Sequence, residues 1–209
     1  STGVRPSPNW VNSNLGAACG TANSFLTQVV VSKTGKIITA NAAPAPNNRL
    51  ISLPAAGANG TCLSSMAAPT PTAYATALAM DQTLGKVLVA YSGPTTAVDV
   101  NSIYIYDFDE STGAFSNPQK VYDANQFPAL YSYLLFGVSA ITIDEGNLYV
   151  ATAVSAATTV SNYVIEKFKI NYSQLGVNNQ TVLTRVGSVP FYGYGYDTKC
   201  ISSLKVLGD

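Results

Sequence analysis

Asp107-Phe108-Asp109-Glu110-Ser111-Thr112-Gly113 sets side-chain oxygens at alternate positions, as a calcium loop does. Its glycine falls one position late and no bidentate Glu follows at the twelfth place, so a charged hairpin turn is the stronger reading. Asp81 and the run Asp144-Glu145-Gly146 could pair carboxylates for acid–base work or glycoside hydrolysis. Acids are ordinary at strand–strand turns, however, because Asp and Gly suit the dihedral angles there. The chain has no histidine, which removes His-based triads, most zinc and copper sites and the commonest general base. A serine or cysteine nucleophile would need Lys or a carboxylate as its base. No Gly-x-Gly-x-x-Gly follows a strand, and Cys-x-x-Cys is absent. The sequence therefore assigns no catalytic residue, no metal ligand and no cofactor.

Two features suit binding instead. In Phe191-Tyr192-Gly193-Tyr194-Gly195-Tyr196, strand alternation puts Tyr192, Tyr194 and Tyr196 on one face. Exposed, these rings could stack on sugar rings or form a contact patch; buried, they would cover a neighbouring strand. Trp10, the single tryptophan, lies between Pro8 and Val11 in a polar lead-in, where it reads as an anchor for that segment.

Composition narrows the partners. Eleven Lys and Arg balance eleven Asp and Glu, and only 11% of the 209 residues are charged. A nucleic-acid binder needs a basic stripe to neutralise phosphates, and none is available. With 47% apolar residues the chain can bury a core. The longest mostly apolar stretch, residues 131–143, is short of the roughly 20 residues that a transmembrane helix needs. Ser, Thr, Asn, Gln and 13 Tyr hydrate the surface in place of ions. Asn59, Asn171 and Asn179 each begin an Asn-x-Ser/Thr tripeptide in a turn-like context and are candidate glycosylation sites. Cys19, Cys62 and Cys200 allow three pairings; Cys19–Cys62 closes the shorter loop and is favoured over the others, the alternative being three buried thiols. A secreted or cell-surface protein is expected.

Stepping from side chains to the elements that must hold them, residues 1–24 read as a Pro-, Asn- and Gly-rich arm, and residues 25–209 as one all-β domain. Short β-branched and aromatic runs recur between turn residues every 8 to 14 positions, and no helical period is sustained. Three segments share a layout of strand, tight Gly turn, strand, longer loop, strand and a weaker fourth strand. They align on Lys36, Lys86 and Asn147, at spacings near the period of four-stranded propeller blades. The fourth strands are expected at Thr61–Ser65, Gln119–Asp123 and Thr181–Gly187. A pilin- or immunoglobulin-like β-sandwich is the alternative architecture.

The second of these segments, Ile103-Tyr-Ile-Tyr-Asp107-Phe-Asp109-Glu-Ser-Thr112-Gly113-Ala-Phe115, resembles the inner hairpin of lactonase-like β-propellers, and the repeat pattern extends over roughly residues 25–190. The resemblance implies about three blades of an antiparallel meander. In that family carboxylate and Asn side chains hold a metal in a central funnel, and no residue here matches them one by one. The leading expectation is a non-enzymatic extracellular structural or adhesive subunit. It would self-associate through the N-terminal arm or open sheet edges, Trp10 serving as the buried anchor. The second expectation is a secreted carbohydrate- or protein-binding module presenting Tyr192, Tyr194 and Tyr196. A metal-dependent hydrolase of the lactonase type stands third.

Overall fold

Among the described residues, the runs that alternate β-branched and aromatic residues with turn residues become twelve strands, arranged as three antiparallel sheets of four. The computed structural model describes residues 19, 26–42, 46–55, 61–69, 74–92, 102–123, 134–155, 161–192 and 204–206. The first sheet comprises β1 (Leu26–Val31), β2 (Ile37–Asn41), β3 (Arg49–Leu53) and β4 (Ser64–Ala67). The second contains β5 (Tyr74–Asp81), β6 (Lys86–Ser92), β7 (Ser102–Phe108) and β8 (Phe115–Asp123). The third has β9 (Leu134–Asp144), β10 (Asn147–Ser155), β11 (Ser161–Ile170) and β12 (Leu183–Tyr192). Every sheet is a simple meander, and β5 packs between β1 and β9, so the first strands of successive sheets lie side by side. This is the layout of propeller-like blades, not of two sheets packed face to face as a sandwich requires.

The aligned positions explain the tight turns. Gly35, Gly85 and Gly146 immediately precede Lys36, Lys86 and Asn147, and all three have positive φ, between +61° and +82°. A side chain there would strain a backbone that glycine adopts freely. The strand expected at Thr61–Ser65 begins instead at Ser64, because residues 61–63 are used otherwise. Cys62 is disulfide-bonded to Cys19, and Leu63 donates its backbone N–H to Ser52. The second fourth strand starts earlier than expected, at Phe115–Asp123, and the third is shifted to Leu183–Tyr192, because Thr181 belongs to the preceding 3-10 turn. Both are edge strands and both contain a proline, Pro118 and Pro190, which an edge tolerates because one side of it needs no ladder hydrogen bond.

The second blade is buried on both faces, and its sequence shows why. In Lys86-Val-Leu-Val-Ala-Tyr91, Val87, Val89 and Tyr91 pack with Ile38, Ala40 and Leu50 of the first blade. Leu88 and Ala90 point the other way, joining Leu148, Val150 and Phe168 of the third blade. The same division recurs on β7, with Tyr106 and Phe108 on one side and Ile103 and Ile105 on the other. A strand with two apolar faces reads as a continuous hydrophobic run, and this one does. Within the first of these cores, the Tyr91 and Tyr106 hydroxyls satisfy each other at 2.7 Å. Burial raises the pKa of both, so the pair stays protonated and neutral.

Hydroxyl groups sew the inner strands. Thr27, Thr76 and Ser139 occupy irregular positions of β1, β5 and β9 and donate to the carbonyls of Ala40, Ala90 and Ala151 on the second strand of each blade, at 3.1, 3.4 and 3.3 Å. Thr76 also reaches the next blade, donating to the Val138 carbonyl at 2.6 Å. Between the first two blades, Gln82 donates to the Val31 carbonyl at 2.7 Å, and Gln28 accepts from the Leu78 N–H at 3.4 Å.

At the end of the blades formed by the β1–β2 and β7–β8 turns, one turn clamps another. The Glu110 carboxylate accepts from Ser32 Oγ (2.8 Å), Thr34 Oγ1 (2.6 Å) and the backbone N–H groups of Lys33 and Thr34 (3.0 and 3.2 Å). Lys36 donates to the Glu110 carbonyl, and Ser52 to that of Gly113. Gly113 is pressed onto the first blade: a Cβ there would lie 2.9 Å from Leu63 Cδ1 and 3.0 Å from Leu63 Cβ. Gly113→Ala is therefore expected to cost about 1–3 kcal/mol from positive φ and overpacking together. Gly146→Ala has the same backbone penalty and open space within 4 Å, so it should cost less. Paired thermal melts of the two variants measure the contact; equal losses would mean that Leu63 simply moves aside.

Candidate functional site

The carboxylates that could have formed a loop for a cation are each committed separately. Asp109 Oδ1 caps its own turn, accepting from Ser111 N (2.8 Å), Ser111 Oγ (2.6 Å) and Thr112 N (3.3 Å). The Ser111 hydrogen bonds lower its pKa to about 2. Glu110 clamps the β1–β2 turn, and Asp81 Oδ1 caps the β5–β6 turn through Thr83 N and Leu84 N. Glu145 takes positive φ in the two-residue β9–β10 turn. Among the described residues no group of three or more Cys, Asp or Glu side chains converges as a metal site would.

Asp107 behaves differently, because it faces a cleft. Lys86 opens β6 and Asp107 sits opposite it near the end of β7, where the two form an ion pair. Asn117 comes from a β8 irregularity in which its φ is +49°, a left-handed conformation that Asn tolerates better than most residues, and its Nδ2 donates to Asp107 Oδ2 at 2.7 Å. Burial works against the Asp107 charge, but the hydrogen bonds from Lys86 and Asn117 outweigh it and hold the pKa below the usual carboxylate range. Gln119, two residues along β8, accepts from Asn179 Nδ2 at 2.7 Å.

The opposite wall comes from the third blade. Between β11 and β12 the chain makes two short 3-10 turns, Tyr172–Gln174 and Asn179–Thr181, each started by an Asn side chain, Asn171 or Asn178, that accepts a backbone N–H. This connection brings Tyr172, Leu175 and Gly176 across from Ile105, Asp107 and Asn117, enclosing about 310 Å³. Tyr172 Oη is fully buried, beside the Asp81 carboxylate. Burial, and then the nearby Asp81 carboxylate, raise its pKa, so it remains a protonated donor. A second hollow of about 250 Å³ lies where β1, β5 and β9 converge, lined by Gln28, Val30, Leu78, Gln82, Ile141 and Thr142. It carries no ionisable group.

The sequence candidates fall into three groups. Cys19 and Cys62 are joined in a disulfide with Cα atoms 5.4 Å apart, and Ser65 Oγ donates to the Cys19 carbonyl at 2.8 Å, tying that residue to β4. Asn171 is exposed, its Oδ1 accepting from Ser173 Oγ at 2.7 Å, whereas Asn179 uses both ends of its amide, donating to Gln119 and accepting from Gly176 N at 2.9 Å. Tyr192 ends β12, its backbone paired with Asn162; Trp10, Asn59, Tyr194, Tyr196 and Cys200 lie outside the described residues, as does the 1–24 arm apart from Cys19. Among the described candidates, Asn179 borders the cleft through Gln119 and Gly176. Lys86, Asn117, Gln119 and Tyr172 escaped sequence reading because no local motif links residues so far apart. The one available sign was Asn117-Pro118 interrupting an otherwise regular strand.

The Glu110 clamp also makes acid sensitivity specific. Burial opposes its ionisation, but the hydrogen bonds from Thr34 and Ser32 and from the two backbone N–H groups hold its pKa below the ordinary 4.5. A lowered folded-state pKa contributes stability that is complete above the unfolded value and is lost as pH falls through the folded one. The melting temperature should therefore drop as pH falls below the ordinary carboxylate range. The gap between wild type and Glu110→Gln should close over the same range. A gap that stays constant with pH would show that the carboxylate charge contributes nothing to the clamp.

No protein-family model matches the chain, and no curated protein matches it. Among solved structures the chain is similar to luciferin-regenerating enzyme, a β-propeller, at 21% identity with a TM-score of 0.50. The match covers 78% of this chain and 45% of that one, so this chain spans less than half the length of that structure. At this identity the likeness is one of fold.

Proposed function

We propose that this protein is a secreted, non-catalytic binding module on a propeller-type scaffold, and that it takes a small polar ligand between its second and third blades. The observation that carries the reading is the cleft of Lys86, Asp107, Asn117, Gln119 and Tyr172. Its volume is at the lower end of sites that enclose small molecules. Binding is favoured over catalysis because Lys86 and Asn117 hold Asp107 ionised with a lowered pKa, which makes it a poor general acid and a weak base. The Cys19–Cys62 disulfide supports export, since such bonds persist in oxidising compartments. No helix among the described residues is long and apolar enough to cross a membrane. The lactonase-type reading rests on likeness of fold alone.

Screening a library of small polar compounds by amide chemical shifts tests the proposal. Shifts clustered at Asp107, Asn117, Gln119 and Gly176 are expected for at least one compound class. A library that moves none of them overturns it.

Self-association is a second reading, favoured by the exposed side chains of Val29 and Val31 on β1 and of Val189 on β12. They are 53%, 49% and 57% exposed. The N-terminal arm with Trp10 and the Tyr192–Tyr196 segment would add contacts between copies. Light scattering decides it: a mass of at least twice 21.8 kDa supports association, and a monomer at millimolar concentration rejects it.

A further inference from the structure

Given that the cleft binds a small molecule, its chemistry narrows the class. Of the described lining residues only Lys86 and Asp107 are charged, and they are paired with each other. An anionic ligand would have to draw Lys86 from Asp107, and a cationic one the reverse, each leaving a charge without its partner. What the cleft offers is a mixed set of donors and acceptors. Asp107 and the Gln119 carbonyl oxygen keep acceptor capacity beyond the bonds they already make, and the Asn117 and Gln119 amides add donors. Hydroxyl groups answer such a set, because each donates and accepts at one atom. Ile105, Leu175 and the Tyr172 ring give the same space an apolar side. Alternating polar edges and apolar faces are the surface of a sugar ring.

We propose that the cleft between the second and third blades takes a neutral polyhydroxylated ligand, of the size of one or two sugar rings. Adjacent hydroxyls meet Asp107 and Asn117, a further hydroxyl meets the Gln119 amide, and the C–H face of the ring lies against Leu175. The left-handed backbone at Asn117 holds its amide in place on Asp107 before the ligand arrives.

The test is a titration of the ¹⁵N-labelled full chain with D-glucose, D-galactose, cellobiose and myo-inositol, with glucose 6-phosphate and glucosamine as charged counterparts. At least one neutral probe should saturate the amide shifts of Asn117, Gln119 and Gly176, and its charged counterparts should bind more weakly. Asp107→Asn should weaken binding about tenfold, the loss expected for a hydrogen bond to a charged acceptor. Because that change also breaks the Lys86 pair, Asn117→Gly serves as a second variant. Glycine accepts positive φ, so the fold is kept while the amide is lost, and a several-fold weakening is expected. If glucose 6-phosphate or glucosamine binds more tightly than every neutral probe at these same amides, the ligand class is wrong while the cleft remains a binding site. If the neutral probes move nothing but other polar compounds do, the class again fails alone. If no compound moves these amides, the reading of the cleft as a site fails with it.

Discussion

Phe168→Ala is expected to lower stability by about 3–5 kcal/mol, the usual cost of deleting a fully buried aromatic side chain. Phe168 has no exposed surface and sits in the core shared by the second and third blades, its ring edge-on to Tyr122 with centroids 5.8 Å apart. The substitution removes the transfer free energy of the ring, the edge-to-face contact and the packing around it. Two rigid sheets meet there, so the space can close only if a whole blade shifts. Against a total of about 5–15 kcal/mol for a domain of ordinary stability, that loss is a large fraction. The melting temperature should fall by roughly 10 °C. Val189→Ala, at an exposed position of the neighbouring strand, should leave it nearly unchanged and serves as the control. A loss below about 1 kcal/mol for Phe168→Ala would mean that the two blades are not held by this core.

Reducing the Cys19–Cys62 bond should produce the second large effect. The two cysteines are 43 residues apart, and closing a loop of that length in the unfolded chain corresponds to about 4 kcal/mol in the chain-entropy picture, with 2–4 kcal/mol commonly observed. The bond does more than shorten the unfolded chain. It fixes residue 62 beside Leu63, the side chain on which Gly113 of the second blade rests. Reduction should therefore both lower the melting temperature by several degrees and loosen the contact between the first and second blades. Melts with and without reductant, repeated on Cys62→Ser, check this. An unchanged melting temperature with reductant, in protein shown to be fully reduced, would remove the bond from the account of stability.

How far the fold could be read from the sequence depended on whether its cause was local. Lys86-Val-Leu-Val-Ala-Tyr91 states its own strand and its burial on both sides, because period-two alternation with no polar face has few other meanings. The turn glycines before Lys36, Lys86 and Asn147 announce the repeat for the same reason: each is a backbone requirement met within four residues. The β4 strand shows where this stops. Its start was displaced by Cys62 and Leu63, whose roles depend on Cys19 and Gly113, far away along the chain. The strand β5, with Thr76 interrupting its apolar run, takes its place because its residues have two neighbouring blades to meet. The cleft was illegible altogether. It is assembled from residues 86–119 and 172–176, and only the packing of the third blade on the second brings them together.

A sheet with two apolar faces has no stable way to exist alone, and this bears on how the chain comes to be folded. In arrays of repeats, stability is close to a sum of each unit's own term and the terms for its contacts with nearest neighbours. For the second blade the neighbour terms lie on both sides, whereas the first and third each have one described neighbour. Residues 74–123 by themselves would present both apolar faces to water and should collapse or aggregate. Joined to either flanking blade, as residues 26–123 or 74–192, they have at least one face covered. The smallest autonomous folding unit is thus a pair of blades sharing the middle one. During synthesis the second blade can dock on the first as soon as β8 is complete, while the face that will receive Phe168 stays bare until β11 emerges.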